Sequence, residues 1–186
     1  IDRVKFFHLL VLLLAVILLA GCKKTSPPST ATTPLLDNRL PTHAQPKLPT
    51  MKIFLGTLHD NLFHPMESLD AELALTPEQE MTGMMFRTNI LETDSMLFRL
   101  PFPQQASFWM KNCPESISAA YITADGVIQE IHHLEHDDTN AVLAARNDIQ
   151  FVLETKDGWF TRHNISVGMV IISEKGSLAE TFLRQQ

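Results

Sequence analysis

The chain has 186 residues, 15 Lys plus Arg against 21 Asp plus Glu, 45% apolar residues and a formal charge of −6. That length suits one domain, and the acidic balance excludes a sequence-independent nucleic-acid binder, which needs surplus basic side chains to displace phosphate counterions. The two cysteines, Cys22 and Cys113, supply neither a disulfide framework nor a zinc knuckle.

The first 21 residues read as a leader. Arg3 and Lys5 precede the uncharged run Phe6 to Ala20, which passes into Leu19-Ala20-Gly21-Cys22. A charged start, a short apolar stretch and small residues before a cleavage point are the parts of a secretory signal, and the run is short for a membrane-spanning helix. Leu-Ala-Gly-Cys resembles the lipobox of bacterial lipoproteins, which implies acylation of Cys22 as the mature first residue. A mature chain would carry 13 basic and 20 acidic residues, a net of −7. One acyl chain binds a bilayer marginally, whereas three hold firmly. The resemblance therefore implies a lipid-anchored protein of the cell envelope, outside the cytoplasm. With Lys23 after the cysteine in place of Asp, it implies sorting to the outer membrane where the source has two membranes.

Residues 22–50 follow as an acylated cysteine and a proline-rich, disordered tether: positions 23–50 hold six of the eleven prolines and only four leucines among large apolar side chains. Proline fixes φ and removes a donor, so this stretch is poorly suited to helix or sheet. The globular domain is expected over residues 51–176, with a helical tail over 177–186.

Within the domain, alternation at Lys52 to Leu55 and Leu69 to Leu75 predicts half-buried strands. Thr76-Pro77-Glu78-Gln79 then carries a hydroxyl cap, a proline in the first turn and a glutamine at the capping-box position, which predicts a helix. Met81, Met84 and Met85 fall at helical spacing and read as core packing rather than a soft-metal site. Four strands follow at Met96 to Leu100, Ala106 to Asn112, Ile117 to Thr123 and Val127 to His133, the last two separated by a turn with Asp125-Gly126. Two more are expected at Asp148 to Thr155 and Val167 to Ser173, with a helical turn at Trp159 to His163 between them. Ser177-Leu178-Ala179-Glu180 is a second capping box, opening a short C-terminal helix. The fold class implied is mostly β (α+β): a curled antiparallel sheet or barrel-like domain with one principal short helix.

Phe108-Trp109-Met110-Lys111-Asn112 resembles the Phe-Trp-Met-Lys-Asn block of a bacterial and archaeal family, the domain of unknown function 192. Gly83-Met84-Met85-Phe86-Arg87 is similar to that family's Gly-Leu-Met-x-Arg, and Met96-Leu97-Phe98 to its Gly-Met-Leu-Phe. Asp125 to Ile128, Val152-Leu153-Glu154, Gly158-Trp159 and Gly168 fall in the same order and spacing. The resemblance covers roughly residues 69 to 172 and implies a fold rather than an activity. The chain departs from the pattern at Ser95 for Gly, Cys113 for Thr, and Ser116-Ile117-Ser118 for Pro-Leu-Asp, the last removing a carboxylate.

In an extended strand Trp109, Lys111 and Cys113 share one face, with Phe108, Met110 and Asn112 on the other. An aromatic ring, a cation and a thiol on a common face would suit an anionic or aromatic ligand, with Arg87 and Glu154 converging on it. Arg87, Trp109, Lys111, Asn112 and Glu154 are thus the ligand-binding candidates; a buried Trp109 and a structural Arg87–Glu154 pair are the competing reading. His132, His133 and His136 lie in a run of imidazoles and carboxylates ending at Asp138, which reads as a solvated strand end sooner than a metal site. Cys113 has no base near it in sequence, and no serine stands in a nucleophile elbow. The function classes implied are a small-ligand-binding or protein-interaction module at the envelope without cofactor, an enzyme acting on an envelope substrate, or a metal-binding protein.

Overall fold

The structure is a computed structural model that describes residues 40–184; the expected leader, Cys22 and the tether up to residue 39 lie outside the described residues. Among the described residues no helix is long and apolar enough to cross a membrane.

The fold is mostly β, of the α+β class. β1 (Thr50–His59) and β2 (Leu62–Ala74) form a long hairpin closed by Asp60 and Asn61, both at positive φ. Those two residues suit a left-handed two-residue turn, which matches the twist of the flanking strands. The register slips between Leu55 and Gly56. A Cβ at Gly56 would sit 2.0 Å from the His64 carbonyl oxygen, so the strands approach this closely only because position 56 has no side chain.

α1 (Pro77–Thr82) starts as its capping box dictates: the Thr76 hydroxyl accepts from the Gln79 N–H, and the Gln79 side chain accepts from the Leu75 and Thr76 N–H groups. It ends at Gly83, whose φ of 47° and ψ of −130° suit glycine and redirect the chain. Met84 and Met85 therefore lie in the turn beyond the helix and are buried there, rather than continuing one helical face with Met81.

β3 (Ser95–Gln104) runs parallel to β2, pairing Glu72 with Met96 and Ala74 with Phe98, because the intervening segment is long enough to cross over. Beyond β3 the sheet continues through β8 (Ile149–Lys156) and β5 (Ile117–Thr123) to β6 (Ile128–Leu134) at one edge, each antiparallel to its neighbours. β9 (Val170–Ser173) and β10 (Gly176–Ser177) extend the other edge beyond β1. The eight strands follow the order β10-β9-β1-β2-β3-β8-β5-β6. This sheet is mixed, not purely antiparallel, and is not closed into a barrel, although a bridge between Val127 and Val170 joins segments near its two edges.

β5 and seven of the eight residues of β8 are buried without alternation. Both faces of the sheet are covered, which is what near-continuous apolar strands require. Leu97, Ala120, Phe151 and Leu153 join Trp159 and Phe160 of α2 (Trp159–Arg162) and Leu178 of α3 (Leu178–Phe182) in one cluster. Met96, Phe98, Ala119, Tyr121 and Val152 join Met84, Met85, Met110 and Cys113 in the other.

Two segments differ from the sequence expectation. Of Ala106 to Asn112, only Ser107–Phe108 is extended (β4), paired with β7 (Val142–Leu143). The chain then turns: the Met110 N–H donates to the Asp138 carbonyl (2.8 Å), the Cys113 N–H to the Met110 carbonyl (3.0 Å), and Asn112 takes a φ of 61°. The end of the expected tether also lies on the body. Gln45 Nε2 donates to the Gly83 carbonyl (2.9 Å), the Leu48 N–H to Glu72 Oε2 (2.7 Å), and the Leu73 N–H to the Pro49 carbonyl (2.9 Å). Prolines 46 and 49 hold this strip extended, so that its backbone groups meet the sheet.

The core tryptophan is Trp159, 1% exposed, whereas Trp109 is 39% exposed. Trp159→Ala should cost about 3–5 kcal/mol of stability in guanidinium unfolding, and Trp109→Ala about 1 kcal/mol or less.

Candidate functional site

A cleft of about 320 Å³ opens on the face of the sheet where α1 and the turns after it meet β4 and the turn after that. Met81, Met84, Met85, Phe108 and Trp109 form its apolar walls, and Glu80, Thr82, Ser107, Cys113 and Glu154 its polar lining. Backbone geometry sets the walls. Gly83 turns the chain, Phe86 follows at φ 62°, and its N–H donates to the carbonyl of Asn112, itself left-handed, at 2.7 Å. A phenylalanine in the left-handed region is uncommon and costs backbone strain, so this hydrogen bond fixes one wall of the cleft against the other.

Glu154 comes from the middle of the sheet. On β8 it pairs with Met96 of β3 and Ala119 of β5, and it points to the same face as Val152. Its side chain is buried, and Oε2 has no hydrogen-bond partner. Burial pushes its carboxyl up to about 8, against a smaller opposing pull from the Arg87 charge. The folded chain holds this proton more tightly than the unfolded one, so the stabilisation is complete below 4.5 and is lost as pH rises through about 8. Glu80 is raised in the same direction, also by burial. Burial, with the charges of Glu154 and Asp137, pushes the Cys113 thiol up to about 12. A thiol held protonated is neither a ready nucleophile nor a good metal ligand.

The candidates from the sequence separate into two groups. Trp109 and Glu154 line the cleft. Lys111 stands beside it, with Nζ 5.6 Å from the centre of the Trp109 ring, within range of a cation–π contact. Asn112 serves through its backbone, as the left-handed residue that receives the Phe86 N–H. Arg87 pairs with Glu72 through Nη1–Oε1 at 2.6 Å and Nη2–Oε2 at 2.9 Å, rather than hydrogen-bonding to Glu154. Burial raises Glu72, but the two Arg87 bonds, the Leu48 N–H and the charges of Arg87 and Lys47 outweigh it, leaving the carboxylate below its ordinary range. Arg87, one of the two cations expected beside an anionic ligand, is thus neutralised; the other, Lys111, stays outside the lining, and no Lys, Arg or His is among the residues lining the cleft.

Glu72 and Glu80 were not among the sequence candidates. Glu72 occupies an alternating position in a strand that read as half-exposed, and Glu80 an ordinary first-turn acidic position of a helix; neither carries a local signal of its burial.

The histidines are engaged separately. His132 Nε2 is 2.8 Å from Glu130 and its ring lies against Tyr121, while His133 bridges Asp157 and Glu135. His136 lies near Glu135 and Asp137. Among the described residues no three His, Cys, Asp or Glu side chains converge as metal ligands.

A family model described as DUF192, Uncharacterized ACR, matches residues 61–172. The chain belongs to this family. Every residue lining the cleft falls within the span matched to DUF192. Among solved structures, it is similar to a protein of Sinorhizobium meliloti 1021 described as a "putative transcription regulator" (24% identity, TM-score 0.61, covering 70% of this chain and 98% of that one). That likeness shows the fold alone. A protein of unknown function from Novosphingobium aromaticivorans DSM 12444 is similar at 25% identity and TM-score 0.59, covering 67% of this chain and 86% of that one. No curated protein matches the chain.

Replacing Arg87 with Met leaves the Glu72 carboxylate buried without its partner and should cost about 3–5 kcal/mol in urea unfolding. Adding Glu72→Gln to the same chain should recover part of that loss, because the uncompensated charge is then gone.

Proposed function

We propose that the domain is a small-ligand-binding module, held at the cell envelope by a lipid on Cys22. The observation that carries the binding reading is the cleft. It combines thioether and aromatic walls with a buried carboxyl group that lacks a hydrogen-bond partner, the mixture of apolar lining and few polar groups that small-molecule sites use. The strain at Phe86 supports it, since costly backbone conformations concentrate where a binding geometry must be held. The anchor reading is supported by the charged start, the apolar run and the cysteine that ends it. A partner other than the membrane is then a small molecule, and nucleic acid is disfavoured by the acidic balance.

A second reading has an observation of its own. Glu80 and Glu154 are both held towards the protonated form in one cleft, and a carboxyl that keeps its proton near neutral pH can act as a general acid. This would make the domain an enzyme acting on an envelope substrate.

Native mass measurement of the full chain, released gently from the membranes of its own cells, tests both parts. A retained small molecule that is lost in the Trp109→Ala variant is expected; a bare chain in every preparation contradicts ligand binding. Cys22→Ser should abolish the mass of the acyl chains and release the protein from the membrane fraction or leave an unprocessed precursor. A Ser variant that keeps the acylated mass contradicts the anchor. Two retained species related as substrate and product would favour the enzyme.

A further inference from the structure

We propose that the ligand of this cleft is a cationic amphiphile, an ammonium or guanidinium group on an apolar body, with the cation received by Glu154 and the body held against Met81, Met84, Met85 and Trp109. This rests on the small-ligand reading above and names the chemistry of the ligand.

Three independent features point the same way. Glu154 lines the cleft and its buried Oε2 has no hydrogen-bond partner, so a turn of the carboxyl group towards the cleft would let a ligand donor satisfy an acceptor that the chain itself leaves unmet. Two of the side chains lining the cleft, Glu80 and Glu154, carry carboxyl groups, and none carries a basic group. An anion entering it would meet two carboxyl groups, while Arg87 is held by Glu72 in two hydrogen bonds and the Lys111 ammonium lies over the Trp109 ring, outside the lining. The walls are also suited to a cation's surroundings: thioethers are polarizable, and an indole face attracts positive charge. Trp109 already does so towards the chain's own Lys111 ammonium.

Binding is then coupled to a proton. Arg87, in the turn after α1, favours the ionised form of Glu154; the Cys113 thiol and the Tyr121 hydroxyl are kept neutral by burial, with the Glu154 charge acting in the same direction, and Glu80 lines the same cleft from α1. In the empty cleft Glu154 holds its proton below about pH 8. An entering ammonium group takes the ionised carboxylate as its partner, so the Glu154 proton leaves to solvent as the ion pair forms. Affinity for a cation must therefore rise with pH until Glu154 is ionised without the ligand.

The test uses three phenethyl probes of nearly equal size: phenethylamine, 2-phenylethanol and phenylacetate. Each is titrated calorimetrically into the full chain in detergent, in buffers of different ionisation heat. The amine should bind at least about tenfold more tightly than the alcohol, with no binding of phenylacetate, as the loss of a charge-assisted hydrogen bond implies. Its affinity should rise by more than about tenfold between about pH 6 and about pH 8, with close to one proton released at the lower pH. In Glu154→Gln, an isosteric change, the pH dependence should vanish.

Equal or tighter binding of the alcohol would overturn the proposal, because the protonated carboxyl would then be serving as a donor to a neutral ligand. Preference for phenylacetate, or no binding of any probe, would overturn it as well. The wild-type comparison decides these outcomes even if the Gln variant does not fold. A molecule retained in the native mass measurement alongside such a failure would leave the small-ligand reading standing and remove only the cationic assignment.

Discussion

Arg87 pairs with Glu72 through two short hydrogen bonds, and that choice of partner leaves Glu154 without a counter-ion in contact. Two carboxyl groups lie near one guanidinium group, both on central strands of a sheet covered on each face. A guanidinium fork matches one carboxylate well, and here Glu72 receives both arms while the Leu48 N–H meets it as well. Glu154 feels the Arg87 charge but makes no bond to it, so burial dominates and the proton stays. The opposite protonation of two chemically identical groups follows from which one holds the arginine.

The cleft over Glu154 is built by chain reversals rather than by regular structure. Gly83 stops α1, Phe86 takes a left-handed conformation, and Asn112 takes another on the facing turn, with one hydrogen bond joining them. Cys113 is tied from both sides, its N–H to Met110 and its carbonyl to the Asp137 N–H (2.9 Å). These turns hold the walls while the sheet holds the floor, so the cleft needs no large rearrangement to exist.

Much of the sheet was legible because its signals are local. Ile117 to Thr123 has the bounds expected from its apolar run, and the capping boxes at Thr76 and Ser177 open the helices that they predict. The hairpin at Asp60-Asn61 was missed because Pro65 and the polar residues around it obscure the alternation in β2. The turn at Trp109 to Asn112 was also missed: an aromatic, apolar and lysine sequence satisfies strand alternation, whereas the turn is imposed by Asp138, far along the chain. The site was legible in part for the same reason. Trp109 and Glu154 stood out by residue type and order, but the pairing of Arg87 depends on β2 lying beside β3, and parallel neighbours leave no sequence signal of their register.

The protonation of Glu154 is the centre of this account, and it can be read at the atom concerned. With glutamate labelled at the side-chain carboxyl carbon, the ¹³C shift of Glu154 is followed against pH, assigned through the Glu154→Gln variant. A midpoint near 8 is the expected result, with Glu72 titrating below the ordinary value of 4.5 in the same series. A Glu154 midpoint at or below 4.5 would contradict the account, since the carboxyl would then be ionised in the empty cleft and held by a partner after all.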